Sequence, residues 1–297
     1  MRSLVKAALR GLVYTRLRAF PLSARNAIWW AEFMKRWPAI FMVRPYLLER
    51  QVETGARMRL GLIDVIERQL LLSGSWDDDV GQFMSASVRP GSTVIDVGAN
   101  IGYFTLLAST LVGDRGIVLA IEPSQRNLSR LCEHLWLNRA GNVLVLSLAA
   151  GRCNGVPSIS FPTYNNAGAA TLRAVSTVQS QRTLQIALDD VFDAHSLSPD
   201  FIKLDVEGYE LEALKGMEHT LRRCKPMVVC ELTESFLREL GQSARELLAF
   251  MEGLGYSCEV LSDRGGVAKG SLIASTDSSV PLDQLDVVFR GAAVQRV

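Results

Sequence analysis

Five carboxylates in this chain stand where a short apolar run stops. Asp96 follows Val94-Ile95, and Glu122 ends Gly116–Glu122 (GIVLAIE). Asp205 and Glu207 follow Phe201-Ile202-Lys203-Leu204, and Glu231 lies near the end of Met227–Leu232 (MVVCEL). Runs of this kind read as buried strands, and open α/β sheets bind ligands outside the carboxyl ends of their strands. An ionised carboxylate offers acceptor sites only, so it can hold hydroxyls or an ammonium, or take a proton. Asp205, Glu207 and Glu231 are the candidates for the last role. Carboxylates held near one another raise each other's pKa toward neutrality, which makes a better base. Two other arrangements stay open. The three acids could hold a divalent cation that acidifies a hydroxyl, or Glu207 could bind a backbone amide at the next helix N-terminus. Lys203, two residues before Asp205, shares its side of a regular strand.

What the first acids hold is indicated by the turn after Asp96. Val94–Phe104 (VIDVGANIGYF) reads as strand, glycine turn and helix start. Glycines let a nucleotide-like ligand approach the backbone. A dinucleotide fingerprint would read G-x-G-x-x-G, but Gly98-Ala99-Asn100-Ile101-Gly102 lacks the middle glycine. Asp96 would also repel a pyrophosphate. S-adenosylmethionine, a cation without phosphate, suits it better. Asp96 and Glu122 are then the anchors, with Glu122 on the ribose hydroxyls. Gly98, Ala99, Asn100 and Gly102 form the pocket floor. Of Tyr103 and Phe104, one packs inward and Tyr103 is the ligand-side candidate. Pro123 ends the second strand, and Ala149 borders the adenine after the third.

These residues need a frame. Strands are expected near 93–97, 117–122, 143–148, 201–205, 226–231, 256–261 and 286–290. Helices are expected near 75–89, with Asp77 or Asp78 as cap, and near 102–112, 125–138 (capped by Ser124), 209–222 and 243–254. Alternation of this kind gives a mostly parallel sheet with helices on both faces. Residues 151–190 break the pattern with β-like pieces at Ser158–Phe161 and Thr183–Ala187. This insertion precedes the fourth strand, where it can reach a substrate, and Asn165, Asn166 and Gly168 form a turn in it. Residues 263–284 read as a polar loop. Of the histidines, His134 and His219 read as packing or surface residues, and His195 as a loop residue.

Four segments, VIDVGANIGYFTLLAS, AIEPSQRNLSRLCEHLWLN, FIKLDVEGYELEALKG and KPMVVCEL, resemble the FkbM family of S-adenosylmethionine-dependent methyltransferases. The resemblance runs from about Gly55 to Val260 and includes an entry segment with Trp76. It implies an α/β class I methyltransferase fold, Rossmann-like, with a seven-stranded, mostly parallel sheet whose last strand runs antiparallel. It implies O-methylation of a hydroxyl on a natural product, sugar or glycan, by in-line displacement at the cofactor's methyl group. A nicotinamide-dependent oxidoreductase and a non-catalytic docking module are the alternatives.

The first 50 residues differ in charge from the rest. They carry ten Lys and Arg against two Asp and Glu; the remaining residues carry 22 against 29. Trp29, Trp30 and Trp37 lie here among the basic residues. The expected division is a basic, aromatic, helical extension over 1–54 and a methyltransferase domain over 55–297. The extension reads first as a helical cap and second as a peripheral membrane contact through 1–50. Charges interrupt every apolar run, which excludes a transmembrane span or a signal-peptide core there. No nucleic-acid module is recognisable. Five cysteines without a C-x-x-C pair indicate no disulfide framework or zinc knuckle, and point to a cytoplasmic protein.

Overall fold

The computed structural model describes residues 47–161, 163, 166–173, 179–261, 269–277, 282 and 284–291. The expectations for residues 1–46, and the Asn165 half of the insertion turn, lie outside these. The described residues form two compact units, 47–76 (with 166 and 167) and the remainder. The first holds an antiparallel pair, β1 (Leu48–Gln51) and β2 (Arg57–Leu60), and helix α1 (Val65–Leu72). Asp64 caps α1 by accepting from the Ile66 and Glu67 amides, satisfying two of the helix's free donors. The pair straddles position 54, and Leu48–Arg50 are strand rather than the expected helix.

The second unit begins with α2 (Asp78–Ser87), β3 (Thr93–Val97), α3 (Tyr103–Val112), β4 (Ile117–Ile121) and α4 (Gln125–Asn138). Next come β5 (Val143–Leu146), β6 (Ala149–Ala150), β7 (Ser158–Phe161), β8 (Gln179–Arg182), β9 (Gln185–Ile186) and α5 (Leu188–Ala194). β10 (Phe201–Leu204), α6 (Glu210–Lys215), α7 (Glu218–Cys224), β11 (Met227–Leu232) and α8 (Glu234–Glu239) follow. The unit ends with α9 (Ala244–Gly253), β12 (Tyr256–Val260), β13 (Leu272–Ile273) and β14 (Leu285–Gly291).

The main sheet has the order β13-β12-β14-β11-β10-β3-β4-β5. The five strands β5, β4, β3, β10 and β11 pair in parallel. β14 inserts between β11 and β12, antiparallel to both. The sheet is thus the expected mostly parallel one, with the two-residue β13 on its edge making eight strands rather than seven. Ile95, Val97, Ile202, Leu204, Val228 and Cys230 point into one apolar core. Side chains alternate along a strand, so the register puts Asp96, Lys203 and Glu231 on the opposite face. Three polar groups on the second face of a buried sheet carry a cost, and a site is the usual reason to retain them.

Four further expectations change. Leu272-Ile273, inside the expected 263–284 loop, is strand β13, paired with Cys258 and Glu259. The helix over 209–222 is two helices. Gly216 stands at the junction, where a Cβ would be 1.9 Å from the Gly151 carbonyl oxygen, so no other residue fits there. Asp189 then caps the second piece, accepting from the His219 and Thr220 amides at 2.8 and 2.9 Å. Asp77 precedes α2, but its backbone is left-handed and its side chain makes no cap hydrogen bond. The third strand stops at Leu146, because Ala149 and Ala150 leave the sheet to pair with Gln185 and Ile186. Ser124 does cap α4, accepting from the Asn127 amide.

Candidate active site

The glycine turn is shaped by what lies beneath it. Gly98, Asn100 and Gly102 have positive φ of 82°, 51° and 94°. A Cβ on Gly98 would lie 1.8 Å from the Asp205 carbonyl oxygen. The turn after β3 thus rests directly on the chain leaving β10, and the two strand ends cannot move independently. The Gly98 and Ala99 amides both donate to the Ile121 carbonyl at 3.0 Å, tying the same turn to β4. Tyr103 and Phe104 are both buried, with ring centroids 5.1 Å apart edge to face, so both pack inward.

Two acids flank this turn. Asp96 is fully buried and accepts from the Thr105 hydroxyl at 2.6 Å. Its other oxygen, Oδ1, lies 3.9 Å from Lys203 Nζ and has no hydrogen-bond partner among the described residues. Burial raises the Asp96 pKa; Lys203 and Thr105 work against that rise. Glu122 is also buried. Its Oε2 accepts from the Asn100 amide and its Oε1 from the Ser124 amide, each at 2.8 Å. Burial raises its pKa to about 7, although these bonds and Asn127 oppose the shift.

Lys203 joins the two halves of the site. Its Nζ is 3.1 Å from Asp205 Oδ2 and stands 5.1 Å from the centroid of the Phe104 ring. Burial alone would lower its pKa, but Asp205 and Asp96 outweigh that, and the pKa rises. The ammonium is therefore a fixed positive charge between acids of β3 and β10.

Asp205 continues the β10 ladder, donating its amide to the Val97 carbonyl at 3.0 Å. Leu204 pairs with Cys230, so Asp205 comes beside Glu231 of the neighbouring strand. Glu207 follows in a left-handed conformation, φ 54°. The structure thus brings Asp205, Glu207 and Glu231 together at one end of the sheet. Glu207 and Glu231 are mostly buried. Burial first, then the Asp205 charge, pushes both up: Glu207 to about 8, with Glu210 adding to the rise, and Glu231 to about 9, with Glu207 adding to it. Among the described residues, no three acid, imidazole or thiol groups are arranged to hold a metal ion. Glu210, not Glu207, binds the amides of the following turn: its Oε1 accepts from Val206 and Gly208 at 3.2 and 3.0 Å.

The remaining candidates lie on the rim. The Pro123 carbonyl accepts from Gln181 Nε2 at 2.7 Å, which ties β8 of the insertion to the loop carrying Glu122. Ala149 is buried and donates its amide to Leu184. His134 is a packing residue, with its ring within 2.7 Å of the Ile101 carbonyl. Sequence reasoning missed Thr105, Arg173, Gln181 and Glu210, and left Lys203 without a role. A lone lysine in an otherwise apolar strand was the signal for Lys203. Thr105, a hydroxyl in the apolar run Phe104–Ala108, was the signal for the Asp96 contact. Nothing local marks Arg173.

The pocket chemistry fits S-adenosylmethionine. The buried Asp96 Oδ1, which accepts no hydrogen bond among the described residues, suits an ammonium donor. Asn100 Oδ1, likewise buried and without a hydrogen-bond partner among the described residues, suits another donor. The glycine turn leaves the backbone open, and Asp96 leaves no place for a phosphate. Such a sheet and site define a class I methyltransferase. The family comparison is specific: residues 96–258 match the methyltransferase FkbM domain, and the chain belongs to that family. It is therefore an S-adenosylmethionine-dependent methyltransferase. Over 176 residues it is 31% identical to the hexuronic acid methyltransferase AglP of Haloferax volcanii, covering 59% of this chain and 70% of that one. Among solved structures it is similar to methyltransferase FkbM from Methylobacillus flagellatus (TM-score 0.43, 19% identity), covering 75% of this chain. The chain spans about half, 52%, of that protein's length. A methyltransferase from Aquifex aeolicus is similar at TM-score 0.41 and 17% identity, covering 72% of this chain and 88% of that one. Neither the nicotinamide oxidoreductase nor the docking-module alternative is supported by these relatives.

Proposed function

We propose that the protein methylates a hydroxyl group of a sugar, glycan or similarly hydroxylated natural product. The observation that carries this reading is the pair Glu207 and Glu231 at the carboxyl ends of β10 and β11. Their carboxylates accept no hydrogen bond among the described residues, and they stand beside the turn that rests on Asp205. A carboxylate without donors and with a raised pKa is suited to take a hydroxyl proton. The relative named as a hexuronic acid methyltransferase supports a sugar acceptor. S-adenosylmethionine, when bound, supplies an electrophilic methyl group. In this reading Asp96, Asn100 and Glu122 hold it over the turn of Gly98, Ala99 and Gly102, with Tyr103 and Pro123 beside it and Ala149 at the adenine edge. Asp205, fixed by Lys203, orients the acceptor, and Glu207 or Glu231 removes its proton.

We place the protein in the cytoplasm, which its five free cysteines support. No helix among the described residues is long and apolar enough to cross a membrane. We keep the division into an N-terminal extension and a catalytic domain, with the expected boundary between 54 and 55 falling inside the β1–β2 pair.

The test is transfer of labelled methyl groups to a panel of neutral and uronic methyl glycosides and hydroxylated aromatics. Label in a base-stable ether supports the reading. Label released by mild base is a carboxyl ester and overturns hydroxyl methylation, as does label fixed on nitrogen or carbon.

A further inference from the structure

We propose that Arg173, carried by the insertion between β5 and β10, is a positioning residue for Glu207: it clamps the left-handed turn from which the Glu207 side chain is presented. The inference rests on the reading of Glu207 as a group at the acceptor end of the site.

Glu207 and Gly208 have positive φ of 54° and 99° in succession. A side-chain-bearing residue adopts the first of these only when its surroundings hold it there. Two sets of contacts do so. Glu210, from the same loop, holds the Val206 and Gly208 amides. The Glu207 carbonyl is held from outside the loop: Thr171 Oγ1 donates to it at 2.8 Å and Arg173 Nε at 2.9 Å.

Arg173 is built into this place. It is 5% exposed. Its guanidinium lies 3.8 Å over the Phe236 ring, and Nη1 is ion-paired to Glu239 on α8. The Thr171 hydroxyl also accepts from the Arg173 amide at 3.1 Å, which sets the start of the side chain. Gly208 leaves room for the Arg173 stem: a Cβ there would come within 2.8 Å of Arg173 Cδ and 2.9 Å of Phe236 Cβ. One planar fork thus holds a carbonyl and a carboxylate in two directions while its face covers a ring. An ammonium cannot do all three. Glu239 answers the guanidinium's charge, so the group serves the turn rather than an anionic ligand.

The charges acting on Glu207 are Asp205 and Glu210 from its own loop, Glu231 from β11, Lys203 from β10 and Arg173 from the insertion. Arg173 and Lys203 favour its ionised form and the acids oppose it. Removing Arg173 therefore frees the turn and shifts the Glu207 titration upward.

The test uses the full chain with carboxyl-labelled glutamate. The Glu207 carbon signal is assigned by its disappearance in Glu207→Gln. Arg173→Met is expected to move the Glu207 titration to higher pH and to speed amide exchange at Glu207–Tyr209 at least tenfold. S-adenosylhomocysteine affinity is expected to stay within about twofold, because Asp96 and Glu122 are held by other elements. Arg173→Lys keeps the charge but not the fork. It is expected to restore much of the titration but not the exchange protection. Unchanged exchange and titration in Arg173→Met would overturn the proposal. So would a parallel loss of cofactor affinity and exchange protection across the whole sheet. If Arg173→Met does not fold, Thr171→Val removes the companion donor, and unchanged exchange at Glu207–Tyr209 there also overturns the clamp. The underlying reading fails separately: wild-type protein that binds no S-adenosylhomocysteine, or Glu207→Gln with full transfer activity, would remove Glu207's role without touching the clamp measurements.

Discussion

The acids at the ends of β3 and β4 differ from those at the ends of β10 and β11 in what answers them. Glu122 has a backbone amide on each oxygen, and Asp96 has a hydroxyl on one and a buried lysine near the other. Glu207 and Glu231 accept no hydrogen bond among the described residues. A carboxylate held by fixed donors is pre-organised to bind, because its orientation is already set. A carboxylate left without donors is poised to change protonation state. In the proposed reading the same kind of side chain serves two purposes a few strands apart, and the backbone around it makes the difference. Lys203 is the exception that touches both ends, and Gly98 is where they meet.

The strongest way to break this comparison is to force the ends apart. Gly98→Val places a side chain where the Asp205 carbonyl lies 1.8 Å from a Cβ, in a backbone conformation that itself costs roughly 1–2 kcal/mol for an L residue. We expect S-adenosylhomocysteine binding to disappear in calorimetry, with a large drop in melting temperature. Retained affinity would show that the turn is not the cofactor floor.

Next comes a direct contrast between the ends. Asp96→Ala and Glu122→Ala should each weaken S-adenosylhomocysteine binding by roughly 1–3 kcal/mol, the scale for losing a hydrogen-bonded charged partner. Glu231→Gln should leave that affinity within about twofold while abolishing or strongly reducing transfer. If Glu231→Gln weakens binding as much as Asp96→Ala, the division into holding and reacting acids fails.

Much of this contrast was legible in the residues, and the reason is physical. Strand-end acids, glycines at a turn and apolar runs are local signals, so β3, β4, β10, β11 and their acids could be placed from sequence. The clamp on Glu207 was not. Arg173 and Thr171 precede it by more than thirty residues, in an insertion with no strong period, and their meeting is a tertiary fact. The break at Gly216 was invisible for the same reason: Gly151, packed against it, and Asp189, which caps α7, are distant in sequence. Lys203 was visible as a residue but not as a link, since only the β3–β10 register sets it beside Asp96.

A smaller effect sharpens the comparison on the pH axis of activity. If one member of the Glu207–Glu231 pair is the base, transfer should rise with pH along an acid limb near the pair's first apparent value, about 8. The first proton leaves while the partner is still neutral, so Glu231→Gln, where activity remains, should leave a Glu207 limb near about 8, whereas Glu207→Gln should lower a Glu231 limb, because the Glu207 charge is part of what raises Glu231. A limb that answers neither substitution in this way belongs to another group.

The smallest effect is on stability. Glu122 and Glu210 have native pKa values raised from 4.5 to about 7, and the Glu207–Glu231 pair is raised further. Between the unfolded and native values the native state holds more protons than the unfolded chain, so stability falls as pH rises. The windows of the two ends overlap up to about 7, and only that of the Glu207–Glu231 pair extends beyond it. Glu122 contributes its loss between about 4.5 and about 7; the pair continues it toward about 9. Lys203, raised from 10.5, stays charged throughout and adds no slope there. Chemical denaturation at intervals from pH 5 to 9 should therefore show a continuing decline in unfolding free energy. Glu231→Gln should make the decline shallower across the whole range, most visibly above pH 7, where Glu122 and Glu210 no longer add to it. A wild-type curve flat above pH 7 would mean that the acceptor-end acids are already ionised at neutral pH, and the contrast between answered and unanswered carboxylates would then lie in geometry alone.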